Sequence, residues 1–303
     1  MNKREPEEAA VNLSGTNLPS ASPRRLHETN AQGSRRSVGL SFVPLKGHSR
    51  VLWQTGVMQI ALLALELPGL AFDHRTVSGI NPWIKPIKFD LSIAVYCWTM
   101  ARMLAPLSVP FAHRISNRIS LCMVVEIAVI TFQAARGVKS HFNASTRFDF
   151  AMYGVMGLFI LYNTYLMVRV TVEYFTAEVL SLPPVLLRGV QLGLVLGLIG
   201  SGVGGVMVGH GRHAVGIPDG GAGLPFFNWS TQGGDLRIAH FLGLHELQFM
   251  PIAGYLLAAP KLRLSAQARM KLFYVCFVFY LMITASAFVW AYLGHPLFTS
   301  NSR

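Results

Sequence analysis

Charge is scarce in this chain. Only 13% of its 303 residues are Asp, Glu, Lys or Arg, where a soluble domain carries about 25%. Cysteine is nearly absent too. Cys97, Cys122 and Cys276 are widely spaced, which excludes a disulfide framework or a CxxC redox pair and leaves small core residues. No HExxH and no CxxCH occurs, so neither a zincin-type metal helix nor a covalent haem attachment is present as a motif. No internal repeat is apparent, which counts against inverted-repeat transporter folds.

What fills the chain instead is apolar residue, 52% of the total, with a mean hydropathy of +0.42. The distribution is uneven. Residues 1–50 are polar and basic, lack apolar periodicity and read as a disordered tail. Residues 51–296 read as an all-α, polytopic transmembrane helix bundle, and 297–303 as a short C-terminal tail. Seven spans are expected, at 52–73, 88–107, 116–136, 148–170, 184–209, 236–259 and 271–294. Each holds enough apolar residues for a hydrocarbon core of about 30 Å. Ser34-Arg35-Arg36 is followed by a polar gap and a full-length span, so it does not read as an export signal.

The basic residues set the expected orientation. Most of the 26 lie in the tail and on its side of the spans, including Lys261, Arg263, Arg269 and Lys271. The positive-inside rule then puts the N-terminus in the cytoplasm and the C-terminus outside. The net charge of +12 fits anionic lipid headgroups. No folded basic face with interleaved aromatics is visible, so nucleic acid is not an expected partner. The expected partners are the lipid bilayer and a proton or small polar ligand.

Helical geometry gathers the remaining polar residues into stripes. Gln59, Glu66 and Asp73 recur every seventh residue in the first span. Glu126 and Gln133 share a face in the third, with Arg136 about 80° away at its outer end, and Asp149, Tyr153 and Asn163 share one in the fourth. In the sixth, Arg237, His240, His245, Gln248 and Tyr255 share an arc while Glu246 points elsewhere. Ionisable groups at such depth are costly and mark functional sites by default. Glu66, Glu126, Arg136, His141, Asp149, Arg237, His240 and His245 are therefore expected to line a polar pocket opening outward. Glu66 and Glu126 would act there as proton carriers or counter-ions, and Arg136 and Arg237 as anion clamps.

Most histidines fall toward the same face, so haem or a transition metal is a second expectation. Its ligands would come from His141, His240, His245, His210 and His213. A haem- or metal-dependent membrane redox enzyme would use those residues; a scaffold or assembly factor would use the stripes only for packing. In the fifth span, Gly193, Gly197, Ser201, Gly205 and Gly209 recur every fourth residue, a pattern for close helix approach. The GxGxxG match at 200–205 lacks a preceding strand and carries no dinucleotide expectation. A retinal protein needs a Lys within the seventh span, where only Lys271 at its start is found.

The connections also carry features. Asn81-Pro82-Trp83 reads as a lid or interface anchor, and the centre of the long 210–235 loop, Leu224-Pro225-Phe226-Phe227-Asn228-Trp229, as a segment that dips into the interface or folds over the bundle. The phrases Gln133-Ala134-Ala135-Arg136-Gly137 with Ser140-His141-Phe142-Asn143, and Gly234-Asp235-Leu236-Arg237 with His240-Phe241-x-Gly243-Leu244-His245, resemble a group of bacterial seven-span inner-membrane proteins with no assigned activity. That resemblance implies an architecture and an inner-membrane location, and no chemistry.

Overall fold

The computed structural model describes residues 50–177, 180 and 182–299. The expected disordered tail lies outside the described residues, apart from Arg50. Seven long helices account for most of the folded unit: α1 (Arg50–Phe72), α2 (Ile84–Leu104), α3 (Val109–Arg136), α4 (Arg147–Thr176), α5 (Pro184–His210), α6 (Leu236–Ala258) and α7 (Ala266–Tyr292). A two-stranded antiparallel ribbon, β1 (Ala214–Val215) with β2 (Gly234–Asp235), ties together the ends of the long loop before α6.

Five of these helices, α1, α3, α4, α5 and α7, are long and apolar enough to cross a membrane. The exceptions are α2 and α6, whose ionisable and amide side chains interrupt the apolar run. α2 holds Lys85, Lys88, Asp90 and Arg102, and α6 holds Arg237, two histidines, Glu246 and Gln248. The apolar surplus of the other helices is turned outward. α7 exposes Val275, Val278, Phe279, Met282 and Val289, which an aqueous surface would not tolerate as one continuous helix face.

Two helix starts show why local chemistry moves boundaries. α2 begins at Ile84 and α3 at Val109, each several residues before the apolar run alone would place it. Both have a proline in the first turn, Pro86 and Pro110. Proline lacks an N–H, but amide groups in the first turn have no intrahelical acceptor, so nothing is lost there. α4 opens with reciprocal capping instead. Thr146 Oγ1 accepts from the Asp149 amide at 3.0 Å and donates to Asp149 Oδ2 at 2.7 Å.

The largest apolar core lies among α2, α3 and α4, with Leu52 and residues of α5 and α6 closing it. Cys97 and Cys122 are buried in it as free thiols. α5 and α6 form the closest helix pair. A Cβ on Gly200 would stand 2.5 Å from the Gly243 carbonyl carbon, and one on Gly193 would stand 2.8 Å from Glu246 O. On α5 the glycines that make this seam are Gly189, Gly193, Gly197, Gly200 and Gly204, met from α6 by Gly243 and Gly254. Strict four-residue spacing is thereby corrected: Gly205 and Gly209 face open space. A helix with 3.6 residues per turn drifts away from a four-residue stripe, and the single three-residue step from Gly197 to Gly200 restores the face.

Candidate functional site

At the end of the bundle where α1 finishes and α2 begins, called distal here, three ionisable side chains from separate elements meet. Lys85 sits in the first turn of α2, Glu126 in α3, and His141 in the loop joining α3 to α4. Lys85 Nζ is 3.0 Å from His141 Nδ1, and Ser140 Oγ is 3.1 Å from the same nitrogen. His141 Nε2 faces Glu126 Oε1 at 3.8 Å. With Lys85 as an ammonium donor, Nδ1 accepts and the neutral ring carries its proton on Nε2, toward Glu126.

The loop must fold inward to achieve this. α3 runs about ten residues past Glu126, or roughly 15 Å at 1.5 Å per residue, before the chain turns and comes back. Gly137 makes that turn in the left-handed region, with φ 71°. The returning backbone has its polar groups answered locally: Asn143 Nδ2 donates to Lys139 O and the Ser145 amide to Asn143 Oδ1. Phe89, Phe142 and Tyr153 ring the imidazole at centroid distances of 5.7–6.4 Å. Burial, then the charge of Lys85, then His213 and His240, hold the His141 pKa well below the ordinary imidazole value.

The loop 210–235 covers this end. Its His213 ring packs on Phe142 at 5.0 Å. Lys88 Nζ donates to Phe227 O at 3.2 Å, and Trp229 packs edge-on against Phe241. His213 is itself fixed by Asp219, whose carboxylate accepts from the His213 ring at 3.0 Å and from the His213 and Ala214 amides. Burial lowers the His213 pKa; Asp219 is pushed up by burial yet held below the usual carboxylate range by the bonds it accepts. Trp83 acts as an anchor: its Nε1 donates to Asp73 Oδ2 at 2.8 Å.

The two arginines expected as anion clamps already hold carboxylates. Arg237 grips Asp235 through Nε at 2.9 Å and Nη2 at 2.6 Å, and also donates to Asn228 O. Asp235 in turn caps α6 through the Arg237 amide and accepts from the Ser230 amide. Arg136 donates to Asp149 Oδ1 and Gln133 Oε1, both at 2.5 Å, and Gln133 Nε2 reaches the same Asp149 oxygen at 3.0 Å. This cluster staples α3 to α4, and the Arg136 guanidinium lies over Phe132 and Phe148. Both arginines hold the frame together.

Of the α6 histidines, His240 bridges to α5, and His245 reaches α2 only through Gln248. His240 Nδ1 donates to Gly200 O of α5 at 2.7 Å, and its ring lies against Gly204. His245 Nδ1 pairs with Gln248 Oε1 at 3.1 Å, while Gln248 Nε2 donates to Thr99 Oγ1 of α2 at 3.0 Å. His210 is exposed, packs on Tyr292 and borders a shallow cavity of about 230 Å³ with Arg212 and Val215. Among the described residues no three His, Cys, Asp or Glu side chains converge as metal ligands. Glu246, which does turn away from the His240 face, is wholly buried near Tyr280 of α7.

Glu66 is also apart from the Lys85–His141–Glu126 group. It accepts from Thr131 Oγ1 at 2.7 Å, and its neighbour is Asp90 of α2, which sequence reasoning passed over along with Lys85. Both omissions follow from the early start of α2. Reading that helix from residue 88 leaves Lys85 in a loop and Asp90 at the membrane edge. Pro86 in a first turn is the signal that restores them. No family model, curated protein or solved structure matches the chain.

Proposed function

We propose that this is an integral inner-membrane protein whose seven helices all cross the bilayer, and that it binds or translocates a proton or small polar ligand entering from the distal side. The observation that carries the reading is the Lys85–His141–Glu126 constellation. An imidazole with an ammonium donor on one nitrogen and a carboxyl facing the other is a two-ended proton relay. A proton arriving at Nδ1 leaves from Nε2 toward Glu126. A small rotation of either side chain would bring the 3.8 Å separation into hydrogen-bonding range. Glu126 is only 3% exposed and its Oε2 has no hydrogen-bond partner among the described residues, so the relay ends on a buried carboxyl.

Support for two further crossings comes from α2 and α6. Their polar residues are turned to other helices, through Thr99–Gln248 and His240–Gly200, and so need not face lipid. The basic N-terminal tail and the loop with Lys261, Arg263, Arg269 and Lys271 favour a cytoplasmic N-terminus.

Reconstitution into liposomes with a pH-sensitive dye tests the reading. An imposed proton gradient should dissipate faster than in protein-free vesicles, and Glu126→Gln should return the rate to the protein-free level. Full flux in that variant, or none in the wild type with any small polar solute added, sinks the proposal. Single cysteines placed at Ser108 and Ser78 in a Cys-less background should label from opposite faces. Labelling from one face would remove α2 as a span.

A further inference from the structure

A second ionisable site lies between α1 and α2, apart from the His141 group. Glu66 is 3% exposed and Asp90 is fully buried, and the antiparallel register that sets Gly56 against Trp98 and Gly69 against Trp83 makes the two acids neighbours between α1 and α2. An ionised carboxylate only accepts hydrogen bonds. Two ionised carboxylates in contact would therefore repel with nothing between them. The surroundings offer little relief. Thr131 gives one hydroxyl to Glu66 Oε1, while Glu66 Oε2 and both oxygens of Asp90 are sealed from water and meet no donor among the described residues. A proton shared between the two acids would engage two of those three oxygens.

We infer that Glu66 and Asp90 share one proton, forming a carboxyl–carboxylate pair that stores a proton inside the bundle. The bond is balanced simply: one acid donates its O–H, the other accepts as carboxylate, and the pair carries a single negative charge. The nearest alternative occupant is an alkali cation, which would need both groups ionised. The inference does not depend on proton entry at His141, because the pair would hold its proton whether or not flux occurs.

Infrared spectroscopy of the full-length protein in lipid nanodiscs at neutral pH tests it. The wild type should show a protonated-carboxyl C=O band that shifts in D₂O. That component should vanish in Glu66→Gln and equally in Asp90→Asn, because the new amide N–H satisfies the surviving acid as a carboxylate. Thr131→Val keeps both acids and should retain the band at a shifted frequency, which covers the case in which the amide variants fail to fold. A band untouched by all three substitutions overturns the inference, as does loss in only one of the two amide variants. Disappearance of the wild-type band on adding NaCl at constant pH would place a cation there instead, and also overturns it. Flux through Glu126→Gln liposomes reports on the other proposal alone.

Discussion

His141 Nε2 and Glu126 Oε1 face each other at 3.8 Å, although the chain leaves α3 and turns in a loop between them. Their meeting makes a loop residue part of the bundle interior, and Lys85 completes a mixed-charge group that no single helix could present. Removing one partner from such a group leaves a buried charge without compensation, which costs about 3–5 kcal/mol. Lys85→Met should therefore destabilise the protein strongly. Lys85→Met with Glu126→Gln should recover part of the loss, with a coupling of about 0.5–3 kcal/mol. Unfolding in mixed micelles measures the cycle, and strict additivity would show that the two residues do not sense each other.

Arg237 predicts a structural phenotype. Its guanidinium is bidentate on Asp235, and that carboxylate also caps α6 and holds the Ser230 amide. Losing the cap alone costs about 0.5–2 kcal/mol, and Asp235→Ala strands Arg237 as well. Limited proteolysis should cut the 210–235 loop faster in both Asp235→Ala and Arg237→Gln. Anion binding, read by intrinsic fluorescence, should be the same in Arg237→Gln as in the wild type. A selective loss of anion binding without loop opening would instead assign Arg237 the clamp role.

Much of this fold is legible in the residues. Seven apolar runs become seven helices, and their ends agree closely wherever a polar cap or a glycine marks them, as at Gly137 and Asp235. The helix faces of Glu66 and Glu126 are also legible, because heptad-spaced polar residues must share a side. Partners across space are harder to read. Arg136 and Arg237 look free in a linear string, yet Asp149 and Asp235 neutralise them through turns that bring near neighbours face to face. Asp90 and Lys85 were hidden by a proline that is ordinary in a first turn. Where the chain re-enters the bundle, as at His141, no periodic signal exists to reveal it.

The α5–α6 seam separates packing glycines from idle ones. Gly200→Ala would place its methyl 2.5 Å from the Gly243 backbone, where nothing flexible can yield. Overpacking of this kind costs typically 1–3 kcal/mol. Gly205→Ala meets open space and replaces a helix-weakening residue, so it should be neutral or stabilise by about 0.5–1 kcal/mol. Thermal unfolding followed by circular dichroism should rank Gly200→Ala below wild type and Gly205→Ala level with it or above. The reverse order would mean that the helices do not meet along this face.

Acidity should loosen the distal cover. His141 and His213 are both held below the imidazole value of 6.5 seen without such surroundings, chiefly by burial. Near pH 6.5 and below, the opened chain therefore binds protons that the closed one refuses. By linkage the closed form loses stability as pH falls through that window, at up to about 1.4 kcal/mol per pH unit for each histidine. The loss levels off once the folded-state pKa values are passed. Asp219 does not oppose the trend, since its lowered pKa keeps its contribution intact until far more acidic conditions. Amide exchange in residues 137–146 and 210–235 should accelerate between pH 7 and 5 after correction for intrinsic rates. His141→Gln should flatten part of that dependence and His213→Gln another part. A corrected exchange rate that stays level across this range would mean the two rings take up protons without opening the cover.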